Sequence, residues 1–434
     1  MNPRKGYQSI LILANLSDDF ELKDFKKFEK ENLIILYLKR RERKGRCSRC
    51  GMLCDRIHST DELKPRDLPA FGYMVRLVFD RFTVKCPRYQ RAVVEDFWLI
   101  RNQKHKFTWR YECQLSRMTE EMPNISVARL EKLDDKTVFN IDVELLQLRQ
   151  ERQQLPANLG PHYSLDEVYY RFFPKGDPRK ETSFVSNLVD LTHKKVIFNA
   201  PGRSQASATV CLMGLSPEQR ATAQSFATDL HDPFHNAIRT LCPQAVVVLD
   251  RFHVMKLFNE ALNEFRKSQL QITTDEDEKR LLRGSNKWIL LSSPDNLNHK
   301  DRGLLDEIKA LNERVVEALL IREHFVSVFD SLNVETAKAR WALLSRLIEE
   351  ADIKEFNKFF SQFKKWLPML WDYFKHKTSS AVIEALNHKI KATKIAAYGY
   401  LNLRYFQLKI LQRVGFLNSK YAPLPTRRPL CATP

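Results

Sequence analysis

No apolar run in this 434-residue sequence approaches the ~20 residues that a membrane-spanning helix needs. The early SILILA, residues 9–14, is too short for a secretory core, and no small-residue cleavage site follows it. Cysteine is sparse: eight are scattered along the chain, with one close group at Cys47, Cys50 and Cys54. That is no disulfide framework for a chain of this length, and it fits a reducing, cytosolic protein. Internal repeats of solenoid period and long low-complexity tracts are also missing. Positive charge, by contrast, is plentiful: 71 Lys and Arg stand against 53 Asp and Glu, a formal net charge of +18. Such an excess favours polyanions, whether DNA, RNA or an anionic membrane. With no membrane span, nucleic acid is the leading partner. The length allows two to four domains.

Residues 1–45 read as a small α+β lead-in, with LIILYLKR (33–40) as its clearest strand. Cys47-x-x-Cys50 followed by Gly51 has the spacing of a zinc-knuckle turn, in which two thiolates share one ion and glycine tolerates the tight backbone. VRLVFDRFTVKC alternates like a strand and delivers Cys86. A complete ribbon needs one more cysteine at position 89, where the chain has Tyr89. The fourth ligand is then Cys54, His58 or water, or the site has decayed to buried free cysteines. Residues 106–150 read as helices: Trp109 to Glu121, ended by Pro123, then SVARLEKL, then a third helix with Asp134 as its N-cap. Ala128, Leu133 and Val138 have the spacing of a helix-turn-helix core, with a plain helical linker as the competing reading. Lys132 replaces the usual turn glycine, at a cost on the order of 1 kcal/mol if that residue is left-handed. In the helix-turn-helix reading, Lys136, Thr137 and Asn140 of the third helix face the major groove.

YSLDEVYYRFF (163–173), TSFVSNLVDL and KKVIFNAPG read as three consecutive antiparallel strands. A helical stretch from about Ser204 to Ala221 leads to a short strand ending at Asp229, then a helix over His235 to Leu241. AVVVLD is a continuous apolar run, as expected of a strand buried on both faces, and ends at Asp250. This order is that of an RNase H-like fold. Its carboxylates come from the first strand, the end of the fourth and a later helix, and hold divalent ions against a phosphodiester. Asp166 and Asp229 are read as lying at strand ends. The third acid comes from a basic stretch: from Glu384 to Arg413 there are six Lys or Arg residues and one acid. For Glu384 alone, the plain reading is a surface helix with a loose pair to His388 at i+4.

Between Asp250 and Glu384 lie 133 residues that read as helical throughout. Phe356, Phe359, Phe360 and Phe363 fall at i, i+3, i+4 and i+7, the pattern of an ordinary core, and Trp288 is the candidate for base stacking instead.

DRFHVMKLFNEALNEFR together with SSAVIEALNHKIKATKIAAYGYLNLRYFQLKIL resembles the DDE transposases of bacterial insertion sequences, most closely the ISL-three type. The resemblance covers about residues 45–413. It implies a multidomain α/β protein: an RNase H-like core interrupted by an all-helical insertion, preceded by a small zinc-ribbon-like domain and a helix-turn-helix. The implied domains are 1–100 (α+β and finger), 101–155 (helix-turn-helix), 156–255 (first part of the core), 256–378 (insertion), 379–414 (last core helices) and 415–434 (a loose tail). Asp166, Asp229 and Glu384 become the three catalytic acids, binding Mg²⁺ or Mn²⁺. Asp250 and His253 match a D-x-x-H signature that shapes the site or touches substrate. Beside the resemblance, the cysteine spacing offers Cys47, Cys50 and Cys86 as zinc ligands, and the basic helix offers Lys389, Lys391 and Lys394 as DNA contacts beside Glu384. Tyr89 breaks the second cysteine pair, and Ala385 stands where such proteins carry glycine. The implied partners are double-stranded DNA, as element ends and target, and further copies of the chain in the bacterial cytoplasm at the nucleoid. The alternatives are an inert or degenerate DNA-binding protein derived from a transposase and a structural RNA-binding protein.

Overall fold

The computed structural model describes residue 11 and residues 15–101, 106–174, 176–292, 294–376 and 381–425. The chain divides into two compact units, one of residues 1–154 with 393–434 and the other of residues 155–392. No helix among the described residues is long and apolar enough to cross a membrane.

In the first unit, β1 (Phe20–Phe28) and β2 (Leu33–Arg40) pair antiparallel. A ribbon of β3 (Gly45–Arg46) and β4 (Leu53–Cys54) carries the Cys47–Cys50 turn. Then come β5 (Ile57–Leu63), β6 (Arg66–Ala70), β7 (Tyr73–Cys86) and β8 (Arg91–Val94), with β7 parallel to β2 and antiparallel to the other three. β7 organises this sheet because its first and second halves serve two cores. Val75, Leu77 and Phe79 pack with Phe20, Leu36 and Phe97, whereas Phe82, Val84 and Cys86 join Cys47, Cys50 and Cys54. Helices α1 (Trp109–Glu121), α2 (Asn124–Glu131) and α3 (Asp135–Arg152) follow. Val127, Ala128, Val138 and Ile141 close their core, and Leu133 is partly buried against it. Asp134 caps α3 by accepting the Lys136 N–H at 2.9 Å. Lys132 sits in the left-handed region at φ 52°, and the next amide, Leu133, returns to the Ala128 carbonyl.

The second unit is built on a five-stranded sheet. Strands β9 (His162–Tyr169), β10 (Phe184–Asp190) and β11 (Lys195–Pro201) are antiparallel neighbours. The expected single helix after them is two, α4 (Gln205–Leu212) and α5 (Pro217–Thr222). The break falls at Gly214, where a Cβ would lie 2.7 Å from the Phe198 ring. Next come β12 (Ser225–Thr228), α6 (Asp232–Leu241), β13 (Val246–Leu249) and α7 (Arg251–Ile272). β12 runs parallel to both β9 and β13, giving the order β11-β10-β9-β12-β13.

A helical segment continues from α7 through α8 (Glu276–Leu282), α9 (Lys287–Leu291), α10 (His299–Leu311), α11 (Glu313–Phe329), α12 (Val334–Ala351), α13 (Lys354–Phe363) and α14 (Leu367–His376). The phenylalanines of α13 are core: Phe356 and Phe363 are fully buried, and the Phe258 ring centroid lies 5.2 Å from Phe356 and 5.0 Å from Phe325. Trp288 is the exception, 61% exposed.

Helix α15 (Ala381–Ala396) crosses from the second unit to the first, and α16 (Leu403–Val414) belongs to the first. The stretch read as one catalytic segment, 379–414, is therefore divided after residue 392; its first two residues lie outside the described residues. The expected loose tail needs correction over 415–425. Phe416 and Leu417 are buried, Leu424 joins the core of α1–α3, and the Trp109 indole N–H donates to the Pro425 carbonyl at 2.9 Å. Residues 426–434 lie outside the described residues.

Candidate active site

Asp166 lies in the body of β9, opposite Asn187 of β10, rather than at a strand end. It is 6% exposed, and both of its oxygens are occupied. Oδ1 accepts the Glu167 N–H at 2.8 Å, and Oδ2 accepts from Asn387 Nδ2 at 2.6 Å. The second bond links β9 to α15 across 221 positions of sequence, and no sequence pattern reveals it. Asp229 follows β12 directly, and its backbone carbonyl takes a hydrogen bond from His235 Nε2 at 2.8 Å. Asp250 caps α7: Oδ1 accepts the Phe252 N–H at 2.9 Å, and Oδ2 meets His253 Nδ1 at 2.8 Å.

These groups feel one another. Burial pushes the Asp166 carboxyl up, opposed by the His253 charge and the Asn387 hydrogen bond and reinforced by Asp229. Burial, with the charges of Asp229 and Asp166, raises Glu167 to about 7. Burial alone would lower His253, but its bond to Asp250 and the charges of Asp250, Asp166 and Asp229 win and raise it to about 9. Glu167 is thus a fourth acid of the cluster that sequence reasoning passed over; its only signal was its place beside Asp166. Glu167 Oε2 and Asp229 Oδ1 are buried and have no hydrogen-bond partner among the described residues. Orphaned carboxylate oxygens on mutually repelling side chains fit a hard divalent cation, which takes oxygen ligands and relieves the repulsion.

The shifts set a pH dependence for the metal-free protein. With folded pKa values above the ordinary ones, the native state binds the extra proton at Glu167 between pH 4.5 and about 7, and at His253 between 6.5 and about 9. Stability from each is therefore full below its window and lost as pH rises through it. Glu167→Gln removes the lower window. Against wild type, the variant should gain about 1–3 kcal/mol in relative stability as pH rises from 4.5 to 7. Urea denaturation in EDTA across that range measures it, and a pH-independent difference contradicts it.

Glu384 is on α15, one turn before Asn387. Its side chain is 47% exposed and lies 3.6 Å from His388 Nε2, the pair foreseen at i+4. Ile383, Leu386 and Ile390 form the buried face, while Lys389 and Lys391 are exposed and burial lowers the pKa of the half-buried Lys394. Among the described residues, the group of three or more His, Cys, Asp or Glu whose ligand atoms all lie within 4.8 Å of one another is Cys47, Cys50 and Cys86. Asp166, Asp229 and Glu384 do not form so tight a group. On α3, Lys136 is exposed and Thr137 and Asn140 are half-buried. Lys136 also lines a cleft of about 510 Å³ with Phe139, Tyr398, Tyr400 and Tyr405, which sequence reasoning did not associate with it.

The family of DDE transposases of the ISL3 type, described as transposases, matches residues 176–410. That span includes Asp229, Asp250, His253 and Glu384 and begins after Asp166. The chain is 27% identical over 385 residues to the transposase for insertion sequence element IS1001 of Bordetella parapertussis, covering 87% of this chain and 90% of that protein. It is 22% identical over 380 residues to the transposase for insertion sequence element IS1557 of Mycobacterium tuberculosis, covering 82% of each.

Proposed function

We propose that this chain, which belongs to the ISL3-type family of transposases, binds the terminal inverted repeats of an insertion sequence and cleaves and joins DNA strands at an RNase H-like centre of Asp166, Asp229 and Glu384. The observation that carries the proposal is the mutual charge coupling of Asp166, Glu167 and Asp229, with buried, orphaned oxygens on Glu167 and Asp229. These acids lie on a sheet of order β11-β10-β9-β12-β13, hydrogen-bonded through Asp166 to the helix that bears Glu384.

Asp166, Asp229 and Glu384 would hold Mg²⁺ or Mn²⁺, which supplies Lewis-acid stabilisation of the attacking and leaving oxygens of a phosphodiester. The protein's own part is to keep those carboxylates placed and ionised. Asn387 fixes the plane of the Asp166 carboxylate by holding Oδ2 while the Glu167 amide holds Oδ1. With a pKa of about 9, His253 is protonated at neutral pH, and its positive charge offsets the acids without occupying their free oxygens. Asp250 orients it through Nδ1. Water and then a DNA 3′-OH serve as nucleophiles, so no side chain has to attack.

In this reading Lys136, Thr137 and Asn140 read base edges, Cys47, Cys50 and Cys86 hold a zinc ion that shapes the finger, and copies of the chain assemble on paired element ends. Incubating the full-length protein with labelled duplexes of the flanking element ends, with and without Mg²⁺, tests the function. Metal-dependent nicking at the end supports it, whereas binding without cleavage is the outcome for an inert derivative.

Lys391 shares the exposed face of α15 with Glu384, one heptad on. A cation there suits a phosphate next to the scissile one. Lys391→Ala should lower the slope of log K against log salt for a pre-cleaved end by about 0.9. Lys389→Ala and Lys394→Ala should be milder, because both side chains lie further round the helix. An unchanged slope and unchanged strand transfer in Lys391→Ala remove this contact from the account.

A further inference from the structure

The two turns that carry the finger cysteines are built alike. In the first, the Gly51 N–H donates to the Cys47 carbonyl at 2.9 Å, with Gly51 at φ 70°. In the second, the Gln90 N–H donates to the Cys86 carbonyl at 2.8 Å, with Gln90 at φ 50°. The place that Cys50 holds in the first turn is held by Tyr89 in the second. Tyr89 is 39% exposed, and its ring lies 6.0 Å from the Arg49 guanidinium and 5.8 Å from that of Arg91, at the surface. His58 is exposed on β5. Neither side chain is in the buried sulfur cluster. Cys54 is: it is 2% exposed and packs with Cys47, Cys50 and Cys86. It stands opposite Gly45 on the ribbon that carries the first turn.

We propose that Cys54 replaces the missing knuckle cysteine and is the fourth thiolate of a tetrahedral zinc site with Cys47, Cys50 and Cys86. Three sulfurs are already gathered, with Cys50 Sγ 3.5 Å from Cys86 Sγ and all three within 4.8 Å. Cys54 Sγ stands outside that group and bonds the Met52 carbonyl at 3.5 Å. Recruiting Cys54 to the ion would give up that contact. That move orphans nothing, because the Met52 carbonyl also accepts the Cys47 N–H at 2.8 Å. Four thiolates around Zn²⁺ leave a net charge of −2, and Arg46, Arg49 and Arg91 flank the site to balance it.

The proposal rests on the reading of the cysteine cluster as a zinc site, and one experiment separates the two. The full-length protein is purified, its zinc is measured by mass spectrometry, and Co²⁺ is exchanged in to record sulfur-to-cobalt charge-transfer absorbance. Wild type should hold one equivalent. Cys54→Ser should lower the charge-transfer intensity by about a quarter, as one of four thiolates is lost, and weaken zinc by on the order of 10²-fold or more. Adding Tyr89→Cys to that variant should restore both, since the second turn already has the backbone of the first. A wild type without zinc removes the zinc reading and the proposal together. Zinc in wild type, with affinity and absorbance unchanged in Cys54→Ser, overturns the proposal and leaves the zinc reading standing. Failure of Tyr89→Cys to restore a weakened Cys54→Ser site would also count against it, by showing that the second turn cannot supply the ligand that Cys54 replaces.

Discussion

Asp166→Asn should lower cleavage of an element end by on the order of 10³-fold or more, the scale of several kcal/mol of transition-state stabilisation. DNA affinity should be unchanged or higher. The substitution keeps the shape of the side chain and removes one buried negative charge beside the place of a phosphate. Burial raises the Asp166 pKa, so the charge is costly in the metal-free fold. Thermal stability in EDTA should therefore be unchanged or raised, which separates lost chemistry from lost structure. Single-turnover cleavage, filter binding and a melt on the same preparation measure all three. Cleavage within tenfold of wild type would remove Asp166 from the centre.

Asp142→Ala should destabilise the first unit by about 3–5 kcal/mol, the usual cost of stripping one partner from a buried ion pair. Asp142 of α3 and Lys409 of α16 are nearly inaccessible and lie 3.3 Å apart. Asp142 also accepts from Ser116 Oγ at 3.0 Å, Thr119 Oγ1 at 2.7 Å and Tyr405 Oη at 2.7 Å. Burial lowers the Lys409 pKa, and Asp142 is the charge that opposes the shift most. Without Asp142, the ammonium must lose its proton or stay uncompensated. Replacing both, as Asp142→Leu with Lys409→Met, should recover part of the loss, because no uncompensated charge remains, while Ser116 Oγ still loses its acceptor. Urea denaturation of the three proteins measures it, and a cost below 1 kcal/mol for Asp142→Ala contradicts the argument.

The sheet of the second unit was legible because its signals are local. The strand-forming composition of 163–173 and the unbroken apolar run ending at Leu249 are local features, and the second follows from a strand buried on both faces. The capping of α3 by Asp134 was legible for the same reason, since a cap bonds its own helix; that of α7 by Asp250 was not drawn from the sequence. What failed to show depends on packing over long separations. Asn387 meets Asp166 only once α15 lies on β9. Glu167 was missed because side chains alternate along a strand, so a reader who gives Asp166 to the site sends its neighbour away from it. The segment after Phe416 was misread from its prolines, although Phe416, Leu417 and Leu424 had apolar surface to bury. α16 has the same lesson: a continuous basic stretch of sequence carries on from Glu384, yet Tyr405 and Lys409 bond Asn124, Thr119 and Asp142 in the first unit.

The central claim is that the carboxylates gathered around Asp166 hold a divalent metal. Mn²⁺ binding to the full-length protein without DNA, followed by loss of the free-ion EPR signal, tests it directly. Thiolates are poor ligands for Mn²⁺, so the cysteine cluster does not interfere. The account predicts binding to wild type that weakens at least tenfold in Asp166→Asn, Asp229→Asn and Glu384→Gln and is unchanged in Lys391→Ala. Equal Mn²⁺ affinity in wild type and all three acid variants would contradict it.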